Sequence, residues 1–333
     1  LDWDSSLAQR GVMFMTLKDA VRSHEAHVRE RLGTLIDALS HKFSALRAAL
    51  WQDGVFLYVP KNVEVEQPLR VCYKLSDGSR SIFPYSLVVL ERGARVTFIE
   101  EFMSPDAAES CLAGPTTEIF AGEGSEIRFV SAQQWGKGMY HIGSQFINLE
   151  RDARAEWVSI ALGGRVQHIE AEAQMQGDGS GITWYGATFA GDDQQLLTAP
   201  WLRHAGSNNE SHMDFKTVVT GSGYSVFDGM IKIEHESRAA STRLEEHAVH
   251  LTPKARNDSI PGLKIDTNDV AKAGHASTSG QVDEEQLFYM RTRGIKPDEA
   301  KRMIVMGLFE PALDAIPVED LRETLIAAIE GKI

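Results

Sequence analysis

Histidine, cysteine and carboxylate are the side chains with which this sequence could bind a metal or move a proton. Cys72 and Cys111 lie far apart and outside any CxxC pattern, so they supply neither a disulfide framework nor a self-sufficient thiolate site. Metal or cluster chemistry must then lean on histidine, on carboxylates or on thiolates brought by another chain. His204, His212, His235, His247, His250 and His275 all fall in the later part of the sequence. His247 and His250 are an odd number of residues apart, so on a regular strand they face opposite sides and do not chelate one ion together. His275 has the unusual setting: "DVAKAGHASTSGQVDEEQLFYMRTRGI" surrounds it with glycine, alanine, serine and threonine, which let another backbone or a bulky group come close. From the residues alone, a structural histidine is the default reading there as at the others. Aspartate and glutamate are spread through turns, where solvated charges belong. No Walker A loop, GxGxxG opening a helix, HExxH, GxSxG or EF-hand pattern occurs, and "GDGSG" and "GSGYSVFDG" lead into strands, so they read as turns rather than phosphate cradles.

The elements that position these residues follow from periodicity. The chain has 333 residues, 43% of them hydrophobic, enough for a substantial core. Its net charge of -13 opposes phosphate-rich partners, which argues against nucleic acid and anionic membranes. No apolar run approaches the roughly 20 residues of a membrane span. "LDWDSSLAQRG" has neither a basic start nor an apolar core, so no secretion signal is expected, and the sparse cysteines suit a reducing cytoplasm. "TLKDAVRSHEAHVRERLG" predicts a helix capped by Thr16 and stopped at Gly33, and "FSALRAALW" predicts another. From Val55 the period changes to strand, short polar turn, strand, with turn-centre Ala94, Ser125, Ala153 and Ser180 about 27 to 31 residues apart. Such a repeat favours stacked coils of a β-solenoid over an antiparallel sandwich. Helical patterns return near Asp283, a predicted N-cap, and continue behind Pro297 and Pro317. The chain thus divides into an N-terminal helical segment over 1–54, a β core over 55–282 and a C-terminal helical segment over 283–333. Met303, Ile304, Leu308 and Phe309 on one late helix, and Leu321, Leu325 and Ile329 on another, exceed what a short appendage buries on itself. They pack back on the solenoid, face a partner, or both.

The run "NDVAKAGHASTSGQVDEEQLFYMRTRGI" resembles the C-terminal signature of the SufB/SufD family of iron–sulfur cluster assembly proteins. "FSALRAALWQDGVFLYVPKNVEVEQPL", "LVVLERGARVTFIEE", "FVSAQQWGKGMYHIGSQFINLERDARAEWVSIALGG" and "FDGMIKI" are also similar to that family, in the same order, so the resemblance covers nearly the whole chain. "RDARAEWVSIALGG" and "DEEQLFYMRTRGI" resemble the SufD side of the family more than the SufB side. The resemblance implies a mainly β fold, a right-handed parallel β-helix flanked by N-terminal and C-terminal α-helical segments. It implies a cytoplasmic, non-catalytic scaffold in a SufBCD-type complex, pairing with a SufB-like paralogue through the β-helix and docking a SufC-like ATPase on the C-terminal helices. Phe288, Tyr289, Arg293, Met303, Ile304, Leu308 and Phe309 are then expected to face partners. His275 matches the family's interface histidine and becomes a candidate iron or cluster ligand. No cofactor is expected to be tightly bound to the isolated chain; the complex would carry a nascent iron–sulfur cluster, with reduced flavin a further candidate. Two departures stand out. Ala273 occupies the place of a cysteine two residues before the family's histidine, and Ala255 falls near the place of a SufB cysteine. Gly274 and Ala276 also replace carboxylates that flank the SufB histidine, so the chain is not expected to hold a cluster alone. The alternatives are a carbohydrate-active β-solenoid enzyme and a homodimeric scaffold binding iron or flavin by itself.

Overall fold

The computed structural model describes residues 5–76, 81–106 and 110–333. Residues 1–4, with which the secretion-signal expectation begins, lie outside the described residues. The core is a parallel β-solenoid in which each coil of roughly 30 residues contributes to two sheets. In spatial order, the first sheet runs through Met13–Thr16, Gly54–Val59, Tyr85–Leu90, Thr116–Ala121, Met139–Leu149, Val166–Met175 and Gln195–His204. Its last two coils are each split, into Tyr224–Phe227 with Met230–Ile233 and then Arg256–Ser259 with Gly262–Ile265. The second sheet runs through Leu69–Lys74, Arg95–Met103, Glu126–Gln134, Arg154–Ala161, Gly181–Ala190, Glu210–Val219, Ala240–His250 and Val270–Gln281.

In the coils that lead to Arg95–Met103 through Ala240–His250, a left-handed residue turns the chain into the second sheet. Gly93, Gly124, Asp152, Gly179, Asn208 and Ala239 all have positive φ, from 51° to 70°. Glycine, asparagine and aspartate tolerate that region best, which is why the turns read so alike in the sequence. The residue after each, Ala94, Ser125, Ala153, Ser180, Asn209 and Ala240, is fully buried, because successive coils stack on it. Only small or hydrogen-bonding side chains suit that column; Asn209 Nδ2 reaches Ser180 Oγ at 3.0 Å.

Inside the solenoid, in-register pairing stacks like on like. Phe98, Phe129, Trp157, Trp184, Met213 and Leu244 occupy one inward column of the second sheet. The rings of Trp157 and Trp184 lie 3.8 Å apart and nearly parallel. This column anchors the main apolar core.

Both sheets are also covered on part of their outer faces. Helix Leu17–Ser23, capped by Thr16 as expected, and Val28 pack on Phe56, Leu87 and Val89 of the first sheet. The single helix expected from Thr16 to Gly33 is instead broken at His24 into Leu17–Ser23 and Glu25–Arg29. Met13–Thr16 is a strand rather than part of a wholly helical segment: it pairs antiparallel with Gly54–Val59, and Phe14 is buried in the core. Edge pairing and burial outweigh local helical propensity there. At the other end of the chain, helices Pro297–Asp314 and Glu319–Glu330 lie against Ile99, Val130, Val158, Phe189 and Val218, the outward phase of the second sheet. Arg70 ties that sheet to Asp320 at 2.7 Å and also pairs with buried Glu101. Lys332 Nζ completes the attachment, donating to Gln194 Oε1 at 2.6 Å and to the Phe189 carbonyl. No helix among the described residues is long and apolar enough to cross a membrane.

Candidate functional site

The solenoid is closed differently at its two ends, and the difference locates the site. Where it begins, Met13–Thr16 covers the edge of the first sheet. Where it finishes, Val270–Gln281 is a 12-residue strand with one neighbour, Ala240–His250, among the described residues. Its other edge presents unpaired backbone donors and acceptors, a template for another strand. Ile260 and Ile265 are exposed beside it, on the last coil. The strand forms because its small and β-branched residues pair in parallel with Ala240–His250 along its length, with one register shift near its start. At Gly274 and Gly280, in the outward phase, a β-carbon would meet nothing within 4 Å, so the outer face of this strand is uncovered there.

His275 lies in the middle of this strand, and a bulge decides which way it faces. Ala240 pairs with Val270 but Ser241 pairs with Lys272, leaving Ala271 as the extra residue. Without that one-residue shift His275 would stand beside Glu245, in the outward phase. With it, His275 stands beside Leu244 and continues the inward column of Phe98, Phe129, Trp157, Trp184, Met213 and Leu244. It is the exposed last member of a column whose preceding members are buried. An imidazole replaces hydrocarbon where the column reaches the open end.

Beneath the same strand lies a polar cluster. Glu246, 2% exposed, occupies the inward phase between Leu244 and Ala248. Its Oε2 accepts from Ser259 Oγ and from Ser277 Oγ, each at 2.9 Å, and the two hydroxyls are 2.6 Å apart. Burial pushes the Glu246 carboxyl above its usual range, while the serine hydroxyls favour its charged form. This residue escapes a motif search, yet "RLEEHAVH" carries a signal, a charge in the apolar phase of an alternating strand.

The other histidines are spread apart. His204 is buried, its Nε2 is 2.9 Å from Ser211 Oγ, and burial lowers its pKa to about 4. His247 Nδ1 lies 2.7 Å from Thr278 Oγ1, and His250 Nε2 lies 3.2 Å from Ser279 Oγ. His235 bonds the Asp266 carbonyl at 3.0 Å. Among the described residues no three histidine, cysteine, aspartate or glutamate side chains converge on a point that could hold a metal ion. Ala273 shares the inward side of the last strand with His275 and packs partly on the core. Ala255, by contrast, is buried with Ala190, Leu196 and Val219. Cys111 is buried with Phe102 and Trp135, and Cys72 lies on the second sheet's first strand.

The residues expected to face a partner divide into two groups. Phe288, Tyr289 and Met303 are exposed by 67%, 58% and 48%, and the Arg293 guanidinium lies 5.1 Å from the centre of the Tyr289 ring. Ile304 and Leu308 are half-buried. Phe309 does not fit the expectation of a partner-facing surface. It is fully buried against the chain's own second sheet, its ring centroid 6.2 Å from that of Phe189. Helix Glu284–Thr292, which carries Phe288 and Tyr289, buries none of its residues.

Comparison with known proteins agrees with the family resemblance read from the sequence. Residues 73–308 match the family model described as SUF system FeS cluster assembly, SufBD core domain, and residues 3–71 match that of the SufBD protein N-terminal region. The iron-sulfur cluster assembly protein SufD of Bacillus subtilis is 30% identical over all of this chain and 76% of its own length. An iron-sulfur cluster assembly SufBD family protein of Staphylococcus epidermidis is 27% identical over 99% of this chain and 71% of its own. One from Staphylococcus aureus is 26% identical with the same coverage.

Proposed function

The chain belongs to the SufBD family of iron–sulfur cluster assembly proteins, and from that premise we propose that it is a SufD-type, non-catalytic scaffold subunit whose working surface is the open end of the solenoid. The observation that carries this reading is the position of His275, inward-facing and exposed on a strand with a bare edge. A SufB-like paralogue would add its own strand to that edge, burying Ile260 and Ile265, and bring the thiolates this chain lacks there. His275 would contribute a borderline nitrogen ligand to a nascent cluster, which is cargo of the complex. A SufC-like ATPase would dock on the exposed patch of Phe288, Tyr289 and Met303.

The test is anaerobic reconstitution of the chain with a SufB-like paralogue and a SufC-like ATPase, comparing wild type with His275→Ala. A variant that assembles normally but loses cluster absorbance supports the reading. One that assembles and keeps the cluster overturns His275 as a ligand and leaves the chemistry to the partner.

A further inference from the structure

We propose that Glu246 is a positioning residue, whose buried carboxylate ties together the last strand of each sheet and thereby fixes the strand that carries His275. This rests on the reading of the open end as the working surface. A carboxylate inside an apolar-phase column is costly unless its oxygens are bonded. Glu246 offsets part of that cost at Oε2, which accepts from two hydroxyls of different sheets, Ser259 of Arg256–Ser259 and Ser277 of Val270–Gln281, while its Oε1 is buried without a hydrogen-bond partner among the described residues. Both strands are terminal in their sheets, so among the described residues each lacks the second neighbour that holds an interior coil. Glu246 itself belongs to the coil below, anchored between Glu210–Val219 and Val270–Gln281. One carboxylate therefore grips both outermost strands from beneath.

The grip matters for His275 because of where Ser277 lies. Ser277 is two residues after His275 and on the same side of the strand, since Leu244 pairs with His275 and Glu246 with Ser277. The bulge at Ala271 fixes the register on one side of His275, and the Glu246–Ser277 bond fixes it on the other. Between the two, a slip that would turn the imidazole outward has to break a buried hydrogen bond inside the solenoid.

Hydrogen exchange on the full chain, read by mass spectrometry for wild type, Glu246→Ala, Glu246→Gln and Ser277→Ala, tests the assignment. With Glu246→Ala, the amides of Val270–Gln281 are expected to exchange about tenfold faster, and those of strands before Glu210 to be unchanged. Glu246→Gln keeps an acceptor oxygen and is expected to stay within about threefold of wild type. Ser277→Ala, the milder change should Glu246→Ala fail to fold, is expected to loosen Val270–Gln281 and leave Arg256–Ser259 protected. Unchanged exchange of Val270–Gln281 in Glu246→Ala, or in Ser277→Ala if the former does not fold, overturns the proposal whatever happens to a cluster. The same variants reconstituted with both partners separate the two readings. Faster exchange with lost cluster absorbance, restored by Glu246→Gln, supports both. Faster exchange with the cluster intact keeps the strand clamp but overturns the importance of His275's placement.

Discussion

Glu100 is a second inward-facing carboxylate, on the second of the eight strands of the second sheet, and it shows what an unpaired charge does to this core. It is fully buried, Thr117 Oγ1 donates to it at 2.9 Å, and burial pushes its carboxyl up to about 7 from an ordinary 4.5. Because the folded pKa is raised, the folded chain holds more protons than the unfolded one between those values. Stability therefore falls as pH rises from about 4.5 towards 7, and the full cost is present above that window. Glu100→Gln carries no charge and still offers Thr117 an acceptor. It is expected to stabilise the protein on the order of 2 kcal/mol at pH 8 and to change little at pH 5. Urea midpoints of both proteins at the two pH values measure this, and equal shifts at both would show that Glu100 does not titrate in that window. At this scale the sequence was only partly legible. "FIEEF" and "RLEEHAVH" each mark a charge in an apolar phase, but nothing in them says which hydroxyl from another coil answers it. The direction of His275 was not legible at all, because it depends on one bulge residue, Ala271, in an otherwise featureless run of small side chains.

At the scale of elements, the C-terminal helices separate a packed face from an exposed one. Val305, Phe309, Ala312 and Leu313 face the second sheet, while Met303 faces out. Phe309→Ala opens a cavity between helix and sheet and is expected to cost about 3–4 kcal/mol of the stability of that attachment, seen as earlier urea-induced release of the helices. Met303→Ser and Phe288→Ser remove no buried contact and should each stay within about 0.5 kcal/mol of wild type. Together they are nonetheless expected to weaken binding of a SufC-like ATPase at least tenfold by titration. Undiminished binding by the double variant would place the docking surface elsewhere. The helices themselves were legible through Asp283, Gly294 and Pro297, which cap, stop and start them as the sequence reading expected. Their orientation was not. Met303, Ile304, Val305, Met306, Leu308 and Phe309 wrap so much of the helix in apolar side chains that periodicity alone selects no face.

On the scale of the whole molecule, a solenoid is nearly one-dimensional, so each coil is held mainly by its two neighbours and the end coils by one. The chain reinforces its first coils with Met13–Thr16, the N-terminal helices and the Arg70 link from the first strand of the second sheet to Asp320. Its last coil has, among the described residues, a single neighbouring coil, held by the Glu246 contacts and by side-chain bonds from His235, His247 and His250. The coil repeat was readable from turn-centre Ala94, Ser125, Ala153 and Ser180, but this asymmetry was not, since capping is a property of how the ends of the chain return to the sheets. Local opening should follow it, with amide protection highest through Glu126–Gln134 and Gly181–Ala190 and lowest in Val270–Gln281. A SufB-like partner pairing along the open edge, as proposed, would supply the missing neighbour. Adding it in excess is expected to raise protection in Val270–Gln281 and Gly262–Ile265 while leaving Gly54–Val59 and Leu69–Lys74 unchanged. The reverse pattern, protection gained at the first coils alone, would mean that partners approach the reinforced end and that the bare edge beside His275 serves another purpose.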